Sequence, residues 1–262
     1  MPELAEVEKY RRLAEEAALG REIVRVHAPD DWYLKGGLTG RAVKTALRGR
    51  SFVAARRIGK QLLLDTSDDG PVLGLHAGMA GRLLVDGRAA ITDLWWASNE
   101  ELEKWDRFAV FFADGGDLRM RDSRRLGGVT LDPPESRLGP DALTVTLGQL
   151  RAALGKSAAP LKARLMDQSK LAGVGNLAAD EALWRAGLDP RRPANSLDEK
   201  ELRRLHRYLR QTMVDLLSRG GSHTGDLMPE RAAEGVCPKD GAPLVRDRVG
   251  GRTTWWCPKH QL

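Results

Sequence analysis

Cysteine is scarce in this chain of 262 residues, which holds only Cys237 and Cys257. That count offers no disulfide framework, so a reducing, cytoplasmic setting is the expected location. No run of about 18 apolar residues occurs, and none of its segments reads as a membrane span. No charged-then-apolar stretch opens the chain as a secretion signal would. Internal repeats and low-complexity tracts are missing as well. What is present is an ordinary globular composition, 42% hydrophobic, which supports a packed core and excludes a disordered chain.

Acidic excess is also missing: the formal net charge is +6 and the sequence pI about 9.5. The positive charge is unevenly placed. Residues 151–262 carry +7, and residues 1–150 carry −1. A basic half points to a polyanionic partner, most often nucleic acid.

Patterning divides the chain in the same place. The opening stretch sets Leu4, Val7, Leu13, Ala14 and Ala17 on one helical face, with Pro2 suited to a first turn and Glu3 to the positive end of the helix dipole. Short alternating or apolar runs follow ("REIVRV", "SFVAARR", "QLLLDT", "PVLGLH", "GRLLVDG", "FAVFFADGG", "DLRMRD"), separated by turn residues. They predict an antiparallel β-sandwich or barrel. The Pro- and Gly-rich stretch 132–143 reads as a linker, so an N-terminal domain is expected over 1–131. Helical periodicity then takes over through 144–220, with Ser196 and Glu199 predicted as the capping box of the last helix. Residues 221–262 read as a mobile, glycine-rich loop followed by a hairpin. The whole is an α+β chain.

Several motifs carry chemistry. A secondary amine at Pro2, exposed once Met1 is removed, titrates nearer neutrality than lysine and is a ready nucleophile. Cys237-Pro-Lys-Asp240 and Cys257-Pro-Lys-His260 are two knuckles flanking the hairpin, with the spacing of a zinc site. A zinc finger and a zinc-free hairpin descended from one both fit. Arg252 falls near the hairpin tip. Gly173 and Gly175 permit a tight turn into a helix beginning at Asn176, whose side chain and free backbone N–H groups suit a phosphate. Met79, in "HAGMAGRL", is a core filler or an apolar wedge. Arg124, Arg125 and Leu126 precede a glycine pair, and a wedge with an arginine is the kit that holds open a base stack. Lys60, at a strand start, can stay at the sheet edge and reach a phosphate.

Together "PELAEVE", "RRIGKQLLL", "HAGMAGRL", "DSRRLGG", "LMDQSKLAGVGN" and "GRTTWWCPKHQ" span the chain, which resembles the formamidopyrimidine-DNA glycosylase and endonuclease VIII family. The resemblance implies a catalytic helix and β-sandwich, a helix–two-turn–helix module and a terminal zinc-finger hairpin, with double-stranded damaged DNA in the groove between the halves of a monomer. It implies a bifunctional glycosylase and β,δ-lyase with Pro2 as amine nucleophile and Glu3 as acid/base. Lys60, Asn176 and Arg252 would hold phosphates, Met79 and Arg124 would fill the vacancy of the flipped nucleotide, and one structural Zn2+ would sit in the finger. The alternative is a catalytically silent DNA-binding or damage-sensing protein on the same scaffold. The sequence departs from the family pattern at Ala5 (usually a second proline), Leu126 (usually phenylalanine), Asp240 and His260 (usually cysteines), and in a short segment before the finger.

Overall fold

The computed structural model describes residues 2–92, 98, 100 and 102–262. Contacts divide them into two compact units: Pro2 with Glu6–Glu135, and Glu3–Ala5 with Ser136–Leu262.

The first unit is built on α1 (Leu4–Ala17), which the chain enters after Pro2 and Glu3; Pro2 therefore lies outside the helix rather than in its first turn. Then come β1 (Ile23–His27), α2 (Gly40–Leu47), β2 (Phe52–Ile58), β3 (Gln61–Thr66), β4 (Leu73–His76), β5 (Arg82–Val85), β6 (Arg88–Ala89), β7 (Asp106–Phe112), β8 (Asp117–Arg121) and β9 (Gly128–Leu131). They form two antiparallel sheets, ordered β1-β7-β8-β5-β6 and β2-β3-β4-β9. Their inward residues share one core with Val7, Tyr10 and Leu13 of α1, where Phe52 and Phe112 meet edge to face at 6.4 Å.

Every run predicted as a strand is a strand. Sequence reading missed α2, whose eight residues bury only Val43 and Leu47, and the four-residue β9.

In the second unit α3 (Leu147–Leu154), α4 (Leu161–Leu165), α5 (Asn176–Ala186) and α6 (Glu199–Arg219) enclose a core of leucine and alanine that includes Leu4 and Ala5. Ala5, 3% exposed, is part of this core. The capping box of α6 is Asp198 with Glu201, not Ser196 with Glu199. The Ser196 hydroxyl donates to the Pro193 carbonyl in a preceding turn, so the helix starts two residues later than expected.

The chain ends in the hairpin β10 (Val245–Val249) and β11 (Arg252–Trp256), closed by Gly250 and Gly251, both at positive φ as a tight two-residue turn requires. Trp184 of α5 packs with Leu227, Leu244, Trp255 and both cysteines under the hairpin. Among the described residues no helix is long and apolar enough to cross a membrane.

Candidate nucleic-acid interface and metal centre

Glu3 is 2% exposed, and its carboxylate accepts the N–H groups of Leu177 (3.0 Å) and Ala178 (3.1 Å). These are first-turn amides of α5, whose own N-cap, Gly175, has no side chain to offer. A carboxylate there meets both the unpaired donors and the positive end of the helix. The expectation of free N–H groups at this helix start is thus corrected, because Glu3 has taken two of them. What remains for a ligand is the Asn176 side chain, whose Oδ1 is buried with no hydrogen-bond partner among the described residues. The turn before it is stapled by Gln168, which donates to Met166 and Val174 carbonyls and accepts from Gly173 N–H.

In the first unit, Gly59 at positive φ and Lys60 make the two-residue turn between β2 and β3, so Lys60 stands on the turn rather than on a strand. Across β3, His76 pairs with Gln61 at the end of β4, and its Nδ1 accepts from Gly78 N–H at 3.1 Å. His76 keeps an accessible edge, yet crowding of its ring lowers its pKa, with the Lys60 charge as the second cause. Sequence reading did not single out His76; its place at the end of an apolar strand, just ahead of the glycine turn that presents Met79, was the available signal.

Met79 is half-buried on that turn. A Cβ on Gly78 would collide with the backbone of Leu126 and Gly127, so the turn and the 122–127 loop lie in contact. Asp122, wholly buried, organises the loop by accepting N–H groups of Arg124 (2.9 Å), Arg125 (3.1 Å) and Gly127 (2.8 Å). Arg124 and Leu126 are exposed by this arrangement. Arg125 differs: it lies at positive φ and its guanidinium is held by both oxygens of Asp30, at 2.7 and 2.6 Å. That bond also holds the Asp30 carboxyl below its usual range. Arg125 is exposed as well, but its charge is tied to Asp30, whereas Arg124 has no ion pair among the described residues.

Arg252 opens β11, exposed beside the glycine turn. The turn rests on α4, where a Cβ on Gly250 would come within 2.7 Å of Ala163 Cβ. Behind it, fully buried Lys162 forms an ion pair with Asp180 (2.7 Å) and donates to the Thr254 hydroxyl (2.7 Å) and the Thr253 carbonyl (3.1 Å). Burial lowers the Lys162 pKa, against the opposing pull of Asp180. Asp180 also pairs with Arg231. A lysine inside the apolar stripe of "LKARL" was the only sequence sign of this pair.

The ligand atoms of Cys237, Asp240, Cys257 and His260 lie within 4.8 Å of one another. Their set fits a single tetrahedral cation. His260 Nε2 is 3.1 Å from the Trp184 carbonyl, which fixes the tautomer and turns Nδ1 inward. Asp240, bonded by Ala242 N–H above all, has its pKa lowered to about 2, so it is a ready anionic donor. Two soft sulfurs with one imidazole and one carboxylate suit zinc better than calcium or magnesium.

Residues 1–129 match the family model of the formamidopyrimidine-DNA glycosylase N-terminal domain, and residues 138–227 that of the formamidopyrimidine-DNA glycosylase H2TH domain. The formamidopyrimidine-DNA glycosylase of Heliobacterium modesticaldum is 35% identical, with all of both chains covered. That of Thermus thermophilus is also 35% identical, over 100% of this chain and 98% of the relative. A Lactococcus lactis Fpg (MutM) in complex with FAPY-dG-containing DNA superposes with a TM-score of 0.83 at 27% identity, covering 99% of each chain. MutM in complex with carbocyclic 8-oxo-G-containing DNA gives 0.83 at 28%, covering all of both.

Proposed function

This chain belongs to the formamidopyrimidine-DNA glycosylase family, and we propose that it is a bifunctional DNA glycosylase and AP lyase acting on oxidised or ring-opened bases in duplex DNA. The observation that carries this reading is the Pro2–Glu3 start, with the Glu3 carboxylate fixed on the first turn of α5 beside Asn176. A pure binding protein has no use for a buried carboxylate next to a terminal secondary amine.

A base cannot be reached inside the stack, so the nucleotide is flipped out. The Pro2 nitrogen uses its lone pair to form a bond to C1′ as the C1′–base bond breaks, and the base leaves with that electron pair and a proton. Loss of the proton on nitrogen and opening of the C1′–O4′ bond give an iminium, the Schiff-base form of covalent catalysis. Removal of a C2′ proton expels the 3′ phosphate, and removal of a C4′ proton then expels the 5′ phosphate. Glu3 exchanges protons with O4′ and the sugar in these steps. Lys60, Asn176 and Arg252 contact phosphates, Met79 and Arg124 occupy the space the nucleotide leaves, and Leu126 stands against the base opposite the lesion. Cys237, Asp240, Cys257 and His260 would hold one zinc, which supplies cross-linking of the hairpin rather than chemistry.

Trapping with borohydride on abasic-site DNA tests the reading. A covalent adduct at residue 2 is expected, lost in Pro2→Gly and in protein that retains Met1, and Glu3→Gln blocks excision of intact lesions. An adduct at Lys60 would overturn the assignment, and absence of any turnover would leave a silent damage binder.

A further inference from the structure

Several arginines in the second unit are tied to acids. Arg185 bonds Glu181, Asp215 and Asp226; Arg192 bonds Glu201; Arg219 bonds Asp226. One helix face instead carries a row of cations with little acid beside it. Along α6, Lys200, Arg203, Arg204, Arg207 and Arg210 follow one another at helical spacing, on the side opposite the buried Leu202, Leu205, Leu209 and Met213. Among the described residues only Arg203 of these five has an ion pair, with Glu199 at 2.9 Å, and Glu199 is shared with Arg151. Lys200, Arg203, Arg204 and Arg207 line a concavity of about 350 Å³, and the Arg204 Nε is buried with no hydrogen-bond partner among the described residues. A buried, unsatisfied guanidinium nitrogen within a row of like charges is costly without an anion.

We propose that this row is a second DNA site, which takes the phosphate backbone of undamaged duplex while the Pro2 site handles the lesion. The inference rests on the reading of the protein as a DNA enzyme. The row lies on the face of α6 opposite the leucines that pack in one core with α5. The chemistry favours DNA over an acidic protein. From Lys200 to Arg210 the row spans about 15 Å, at about 1.5 Å per helical residue, long enough to meet more than one phosphate of a duplex backbone. The four residues lining the concavity are all cationic, and it includes none of the aromatic or aliphatic residues that usually seat a peptide anchor. A second backbone contact lets the enzyme pass between neighbouring DNA segments without full release.

The test compares wild type with Lys200→Glu/Arg207→Glu/Arg210→Glu, all exposed positions outside the lesion site. Affinity for long undamaged duplex should fall about tenfold or more, and the slope of log K against log salt should shrink by about two to three. Single-turnover excision on a short lesion duplex should be unchanged. The corresponding triple alanine variant should move the same way by a smaller amount, which separates lost contacts from introduced repulsion. An unchanged salt slope overturns the proposal, and so does parallel loss of excision on the short duplex. Polyglutamate displacing duplex from the row at equal charge would also overturn it, since the partner would then be an acidic protein. Undamaged-duplex binding reads the row even if no base is excised, so failure of the enzymatic reading is distinguishable from failure of this one.

Discussion

The Glu3 carboxylate fills the space that a side chain on Gly175 would need: a Cβ there falls inside the van der Waals volume of Glu3 Cδ and Oε1. Gly175 has an ordinary extended φ of −112°, so glycine is required by proximity rather than by backbone conformation. The Gly175→Ala variant should therefore push Glu3 off the Leu177 and Ala178 amides. Overpacking of this kind costs about 1–3 kcal/mol, and a loss of excision of about a hundredfold or more is expected if Glu3 works where it lies, since small misplacements of a catalytic group cost that much. Single-turnover rates and thermal melting read the two effects. Gly175→Ala combined with Glu3→Gln should be no slower than Glu3→Gln alone. A Gly175→Ala enzyme of normal rate would show that the position of Glu3 is unimportant.

The sheets were legible because short apolar runs, such as those that bury all four residues of β5 and three in a row of β3, are bounded by turn residues, and the finger was legible because each knuckle is local in sequence. The contacts that arrange the site were not. Glu3 and Leu177 are 174 residues apart, and Lys162 and Thr254 are 92 apart, so no short-range pattern links them. The same long-range bond misled the reading of α5, where a free helix N-terminus is a local expectation that a distant carboxylate cancels. Arg125 shows the opposite case. It looked like Arg124 in the sequence, and only Asp30, 95 residues away, separates their roles.

His76 gives a pH dependence of known sign. Its folded-state pKa is lowered by crowding of the ring and by Lys60, whereas in the unfolded chain it sits near its ordinary value of about 6.5. Between those two values the unfolded chain binds more protons, so stability rises with pH. The contribution is complete above about pH 6.5 and is lost as pH falls through that value towards the folded pKa. Urea denaturation from pH 7.5 downwards should show this loss, and His76→Gln should flatten it. Equal pH profiles for the two proteins would exclude His76 as the source.

The mixed donor set of the finger predicts a zinc held less tightly than by four thiolates. Elemental analysis should find close to one zinc per chain, removed by mild chelation together with DNA affinity, because the hairpin carries Arg252. Asp240→Cys should resist chelation longer. Full DNA binding by metal-free protein would show that Trp184, Trp255 and the Lys162–Asp180 pair hold the hairpin unaided.

Substrate range follows from Leu126 and from the segment before the finger. That segment was expected to be mobile, but it is tied to α5: Asp226 and Leu227 N–H groups donate to the Glu181 carboxylate, and Arg231 pairs with Asp180. Packed down in this way and short, it leaves few backbone groups to read an extruded purine. Leu126 is 51% exposed and offers bulk without a π-face towards the partner base. Stacking on an aromatic is worth about 1–3 kcal/mol per base, so its absence should weaken discrimination of the opposite base about tenfold to a hundredfold. Oxidised pyrimidines, ring-opened purines and abasic sites should then be processed at least as well as 8-oxoguanine. Leu126→Phe should restore part of the opposite-base preference without changing the lyase rate on abasic DNA. Single-turnover rates on each lesion opposite all four bases measure both effects, and a strong cytosine-restricted preference for 8-oxoguanine in the unaltered enzyme would refute the argument from Leu126 and from the tethered segment alike.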